Sequence, residues 1–198
     1  IEGNGSVAGV RLDGGEVVPA DLVLVGIGIL PNDDLASEAG LACPDGIAVD
    51  HAARTDAPRI FAAGDCTRRD LVHYGREARL ASVHNAIEQG KQAAAAILGK
   101  PRPPEDCPWF WSDQYDLKLQ IAGLSLGHDE VVIRGEQADR KFAGFYFKEG
   151  KLIAVDAINS PPEFMVAKKL IIAGAVMDAE TLADPATSMK DIAAAATA

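Results

Sequence analysis

The stretch RIFAAGDCTRRD, residues 59–70, decides how this chain is read. Residues 60–63 are a short apolar run with strand character, ending at Gly64 and Asp65. Gly64 lets the backbone come close to a ligand because no Cβ stands in the way. The Asp65 carboxylate offers two acceptor oxygens to sugar-type hydroxyls. A buried strand that delivers Gly-Asp at its end is thus a candidate seat for the ribityl chain of a flavin. The same tripeptide also ends ordinary strands in ordinary turns, so its setting decides.

Upstream, ADLVLVGIGILPNDDLASEAGL (residues 20–41) reads as a fully buried strand over 22–25, a bend at Gly26 and Gly28, then Pro31 and a helix capped by Asn32 or Asp33. The order strand, glycine, helix is the one α/β sheets use at ligand crevices. DGIAVDHAARTDAPRIFAAGD (45–65) predicts a strand over 46–50 and a turn over 55–58 leading into the run at 60. Downstream, LASVHNAIEQGKQAAAAIL (80–98) has helical spacing, with Ser82 placed to cap it. Ahead of all this, residues 7–12 and 17–19 flank Asp13-Gly14-Gly15 as a hairpin.

The pattern changes after LGKPRPPEDCP (98–108), whose prolines stiffen a linker. Strands are predicted over 115–124, 130–134, 141–148 and 152–158, as an antiparallel meander with a turn at Glu149-Gly150. Ser160 then opens a helix that starts at Pro161 and Pro162 and stops at Gly174. The tail from 179, rich in alanine and threonine, reads as a short helix that frays. The fold class expected is α/β followed by α+β.

Composition bounds the function. A hydrophobic fraction of 48% over 198 residues supports one or two cored domains. The longest apolar runs, such as 22–30, fall far short of the roughly 18 residues a membrane span needs, and a cytoplasmic setting is expected. Cys43, Cys66 and Cys107 form no C-x-x-C, which argues against a disulfide framework, zinc or an iron-sulfur cluster. No metal site is expected. A formal charge of -10 speaks against nucleic acid or an anionic membrane as partner.

Four segments together carry a family resemblance: VLVGIGILPN (23–32), TDAPRIFAAGDC (55–66), RLASVHNAIEQGKQAAAAILG (79–99) and PWFWSDQYDLKLQIAGL (108–124). They resemble the C-terminal half of FAD-dependent ferredoxin reductases, the putidaredoxin and rubredoxin reductase group. The resemblance implies a partial FAD/NAD(P)-binding domain, with residues 1–30 ending an NAD domain and 31–105 forming the second half of an FAD domain. Residues 106–198 would be the C-terminal domain, an antiparallel meander with helices. The implied activity passes electrons from NAD(P)H through FAD to a ferredoxin-type iron-sulfur protein. FAD is the implied cofactor and NAD(P)H the cosubstrate, in a monomer or homodimer.

The resemblance also assigns residues. Gly64 and Asp65 would meet the ribityl chain. At the start of the 80–98 helix, Ser82 and Val83 would present backbone amides and the positive end of the helix dipole to the negative edge of the reduced ring. Gly28 and Pro31 would lie beside the nicotinamide, although a close-packed bend explains Gly26 and Gly28 equally well. Trp111 is the candidate for the flavin side and Trp109 for the partner side, with plain core packing as the alternative for both. Arg68 and Arg69, with Arg76 and Arg79, form a candidate basic patch for an acidic partner. Alternatively they pair with Asp70 and Glu77. His84 reads as a hydrogen-bonding residue before a proton donor, and no catalytic side chain is assigned.

Departures from the family pattern matter as well. No G-x-G-x-x-G follows a strand, and GIGILP places Pro31 where the third glycine belongs. The chain begins at Ile1 inside a hairpin. An excised piece, inactive in hydride transfer unaided, is therefore expected. A disulfide reductase of the same architecture would need a histidine-glutamate pair that the C-terminal region does not supply. An inactive interaction or dimerisation module is the rival from another class.

Overall fold

The computed structural model describes residues 1–195. It divides into two compact units, Ile1–Leu30 and a second beginning at Pro31.

The first unit is a three-stranded antiparallel sheet of β1 (Glu2–Gly3), β2 (Val7–Arg11) and β3 (Val17–Pro19) in that order. The hairpin expected around Asp13-Gly14-Gly15 is present, with Gly15 at φ 85°. The buried strand expected over 22–25 is not. Leu22, Leu24, Ile27 and Leu30 are 86%, 93%, 90% and 91% exposed. An apolar run becomes a buried strand only where neighbours take its backbone hydrogen bonds, and no strand of this unit pairs with it.

The second unit opens with α1 (Asp34–Glu38), β4 (Ile47–Ala48), β5 (Thr67–Leu71), β6 (Arg76–Arg79) and α2 (Val83–Ile97). Asp33 sits at the start of α1 but does not cap it with its side chain; Asp33 Oδ2 instead accepts from the Gly46 amide at 3.1 Å. β4 runs parallel to β5, and β6 turns back antiparallel. The strand expected over 60–63 is reduced to one bridge between Arg54 and Phe61. Local bonds hold this stretch as a compact turn: Asp50 Oδ1 accepts from the amides of Ala52 and Arg54, and Thr55 N donates to Ile60 O at 3.1 Å. The ladder strand is TRRDL, which follows Gly64-Asp65 rather than preceding it.

A second sheet comprises β7 (Trp109–Gln114), β8 (Leu117–Gly123), β9 (Glu130–Glu136), β10 (Lys141–Lys148) and β11 (Lys151–Ile158). All its pairings are antiparallel, in the order β7-β8-β11-β10-β9. It is therefore not a simple meander: β8 pairs with β11, and β9 lies at the far edge. Expectation also missed β7 as a strand, because its two tryptophans gave no polar alternation. Central β11 is buried on both faces, and Phe145, Phe147, Leu152 and Val155 fill the core beneath α3 (Pro161–Ala173).

The tail does not fray as a loose helix. It forms α4 (Ala179–Ala183) and α5 (Met189–Ala195), with Leu182, Met189 and Ile192 buried in the same core. Arg134 of β9, itself buried, fastens this segment by donating to the carbonyls of Leu182, Asp184 and Thr187. The last three positions of the expected tail, 196–198, lie outside the described residues.

Tyr74 joins the two sheets of this unit. Its hydroxyl donates to Ile153 O and accepts from Leu124 N, both at 3.0 Å. Burial pushes its phenol well above the ordinary range. Gly123, at φ 80°, leaves room for this hydroxyl; a Cβ there would also collide with the Ile153 carbonyl. Tyr74→Phe leaves both backbone groups unpaired, so urea unfolding of the variant is expected to show a loss of about 1–3 kcal/mol.

Candidate functional site

Ser82 adopts an extended conformation, φ -154° and ψ 150°, and its Oγ accepts from the Asn85 amide at 3.1 Å, as the sequence predicts. With that donor capped, the amides of Val83 and His84 remain at the start of α2 without intrahelical partners.

The inner face of α2 is polar. Asn85, Gln89 and Gln92 are buried, whereas Val83, Ile87 and Ile97 are 57%, 52% and 64% exposed. Gln89 Oε1 accepts from Gly64 N at 2.6 Å and from Thr67 Oγ1 at 2.8 Å. Asn85 Nδ2 donates to Leu80 O at 2.8 Å. These bonds lay the Gly64-Asp65 turn along the first turns of the helix. Gly64 holds φ 95°, and a Cβ on it would rest against that of Ala86. Asp65 is exposed and makes no hydrogen bond or ion pair among the described residues.

Gly64 thus packs against Ala86 and Gln89 in the first turns of α2, the helix that Ser82 and Val83 open, and Asp65 follows it in the chain. Gly28, at φ 100°, belongs to the first unit, and Pro31 opens the second. Arg69 is corrected as a docking residue. Along β5 the side chains alternate, so Thr67, Arg69 and Leu71 point inward. The Arg69 guanidinium, 7% exposed, donates to Gln92 Oε1 at 3.2 Å and Asn85 Oδ1 at 3.4 Å, with Glu105 at 3.8 Å. Burial lowers its pKa and Glu105 opposes that shift. Arg68 points outward and pairs with Glu77 at 3.2 Å and Asp45 at 3.5 Å.

A cavity of about 170 Å³ lies beside the helix start, lined by Leu80, Ser82, Trp109, Phe110, Ile121 and Leu124 among others. Trp109 is half-buried against the core. Its ring centroid lies 5.5 Å from His84, 5.9 Å from Phe164 and 5.3 Å from Trp111, which is 38% exposed. Asp106 stands behind them. Its Oδ2 accepts from Lys168 Nζ at 2.7 Å and meets His84 Nε2 at 3.0 Å, while Oδ1 accepts from Cys107 N at 2.8 Å. Burial works against the Asp106 charge, yet Lys168 and the Cys107 amide hold it below the usual carboxylate range. Burial also depresses the His84 pKa, against the pull of Asp106. The same burial pushes the neighbouring Cys107 thiol up to about 12, which leaves it an inert core residue.

Sequence reasoning missed Gln89, Asp106 and Lys168. A signal existed for the first: Asn85, Gln89 and Gln92 recur at helical spacing within an alanine-rich helix. Asp106 was hidden in a proline-rich linker.

Residues 1–90 match the pyridine nucleotide-disulphide oxidoreductase family, and residues 109–193 match the reductase C-terminal family. The chain is thus similar over its first half to the pyridine nucleotide-disulphide oxidoreductases and over its second to the reductase C-terminal family. A probable ferredoxin reductase of Castellaniella defragrans is 47% identical over 98% of this chain and 48% of its own length. The putidaredoxin reductase of Pseudomonas putida is 42% identical over 97% of this chain and 46% of its own. A solved putidaredoxin reductase-putidaredoxin complex superposes with a TM-score of 0.90 at 42% identity, covering 94% of this chain and 45% of the other. The ferredoxin reductase for a cytochrome system of Rhodopseudomonas palustris gives the same TM-score at 41% identity over 98% and 48%. The chain spans about half the length of the curated relatives it matches.

The residues at the helix start fit the flavin that such oxidoreductases use. An unpaired exposed carboxylate suits ribityl hydroxyls, two free amides suit a negative ring edge, and Gln89 Nε2 is buried without a hydrogen-bond partner among the described residues.

Two outcomes follow from this geometry. Gln89→Leu strips the Gly64 amide of its acceptor, and denaturant unfolding is expected to show a loss of about 1–3 kcal/mol. The depressed His84 pKa makes the unfolded chain take up its proton first as pH falls below the ordinary value of 6.5. The His84 contribution is whole above pH 6.5 and is lost as pH falls through the lower folded value. Thermal melts should show a Tm decline over that window, smaller in His84→Gln.

Proposed function

We propose that this chain supplies the second half of an NAD(P)H-dependent flavoprotein reductase, one that passes electrons through FAD to a ferredoxin-type iron-sulfur protein. The observation that carries the reading is the Gly64-Asp65 turn bonded through Gln89 onto the capped start of α2. When bound, FAD accepts a hydride from NAD(P)H and hands electrons singly to an iron-sulfur acceptor.

The chain's own residues bind and orient. Asp65 holds the ribityl hydroxyls, with Gly64 keeping the backbone out of the way. The Val83 amide, positioned by Ser82, faces the ring edge where negative charge collects, a preorganised dipole that needs no rearrangement. Trp111 would stand on the flavin side and Trp109 on the side of the iron-sulfur partner. Gly28 and Pro31 border the nicotinamide. Residues 1–30 end an NAD domain, 31–105 complete an FAD domain, and 106–198 form the C-terminal domain. An acidic iron-sulfur partner docks with help from Arg68, whose bonds to Glu77 and Asp45 limit its pull. The setting is cytoplasmic, consistent with described helices too short or too polar to cross a membrane. Hydride transfer by this chain alone is not expected, because the first dinucleotide turn has no counterpart in its sequence.

The exposed Val83, Ile87 and Ile97 favour a second reading, an interaction or dimerisation module. Titrating the chain with FAD and following flavin fluorescence separates the two. Weak but saturable binding is expected, reduced about tenfold to a hundredfold in Asp65→Ala, the range of one or two charge-assisted hydrogen bonds. Binding unchanged by Asp65→Ala removes that carboxylate from the site. A folded chain that binds no FAD but elutes as a dimer leaves the module reading in its place.

A further inference from the structure

The cluster around Asp106 has no part in the scheme above, yet it joins three elements at the edge of the candidate site. His84 comes from the first turn of α2, Asp106 from the connection between the two sheets, and Lys168 from the middle of α3. One oxygen, Asp106 Oδ2, meets both His84 Nε2 at 3.0 Å and Lys168 Nζ at 2.7 Å. Trp109 closes the group, with Lys168 Nζ 5.5 Å above its ring and the His84 imidazole 5.5 Å away. We propose that Asp106 is a positioning residue that clasps the start of α2 to α3 through His84 and Lys168, keeping Ser82 and Val83 in register with Trp109.

The arrangement is more than a surface ion pair. Side chains of His84, Asp106 and Lys168 are 11%, 29% and 20% exposed, so solvent competes weakly for these bonds. The other oxygen of Asp106 accepts the Cys107 amide, which fixes the carboxylate plane on a backbone whose thiol is buried in the core. A carboxylate anchored this way can hold two mobile side chains at once. The importance for flavin binding rests on the reading given above; the clasp itself does not.

Its signature is a linked titration. The charged and titratable groups around His84 are Asp106 on the connection, Lys168 on α3, Glu88 on its own helix, and Arg69 on β5 across a small cleft. Asp106 favours the imidazolium and Lys168 disfavours it, so removing either shifts His84 in opposite directions. Protonated imidazole quenches a neighbouring indole, which makes Trp109 emission the reporter.

The test is a pH titration of tryptophan fluorescence on the full chain in a Trp111→Phe background, with no flavin present. A transition is expected below pH 6.5, absent in His84→Gln. Asp106→Asn should lower its midpoint and Lys168→Met should raise it, each by roughly one pH unit. Lys168→Arg should restore the parent midpoint. Midpoints that all drift toward 6.5 would mean mere loosening and would overturn the proposal, as would a transition that survives His84→Gln. If Asp106→Asn does not fold, the Lys168→Met and Lys168→Arg pair still decides. Because no flavin is added, a failed FAD titration leaves this result standing, and the reverse also holds.

Discussion

Gln89 Oε1 accepts the Gly64 amide at 2.6 Å and the Thr67 hydroxyl at 2.8 Å from a position that is almost fully buried. The turn before β5, the start of β5 and the second turn of α2 all meet at that oxygen. An amide side chain in the interior is costly unless its bonds are made, so the arrangement specifies one register of helix against strand. Everything proposed for the site follows from it: Gly64 is held against the first turns of α2, Asp65 follows it in the chain, and Ser82 and Val83 open that helix.

This polar seam also explains why α2 looks inverted. Its buried face carries Asn85, Gln89 and Gln92, while Val83, Ile87 and Ile97 are exposed. Arg69 belongs to the same seam, reaching Gln92 and Asn85 from the inward side of β5. The alternation of β5 therefore divides two adjacent arginines between different tasks: Arg69 knits the interior, and Arg68 pairs outside with Glu77 and Asp45.

The β-rich part works by another kind of constraint. Its core is apolar, built on β10, β11 and α3, with Arg134 drawing α4 and α5 onto it. Two polar contacts tie that body to the α/β part: Tyr74 bridging Ile153 and Leu124, and Asp106 between His84 and Lys168. Trp109 of β7 sits against His84 and Lys168 with Trp111 beside it, which brings an aromatic pair to the helix start.

Much was legible in the order of residues. Ser82 before an alanine-rich run, Pro161-Pro162 before an apolar one and Gly174 after it marked α2 and α3, because capping chemistry is local. The Glu149-Gly150 turn and the hairpin at Asp13 were equally local. Gly64 and Asp65 stood out for the same reason. Tertiary structure decided what depends on partners distant in sequence. Residues 22–25 read as a buried strand, yet Leu22, Leu24 and Val25 are exposed for want of ladder neighbours, and residues 60–63 gave way to a turn satisfied by Asp50 and Thr55. The pairing of β8 with β11, the inward turn of Arg69 and the meeting of His84, Asp106 and Lys168 rest on contacts spanning 16 to 62 positions. No local pattern encodes such contacts, since they exist only once packing has chosen which faces are removed from water.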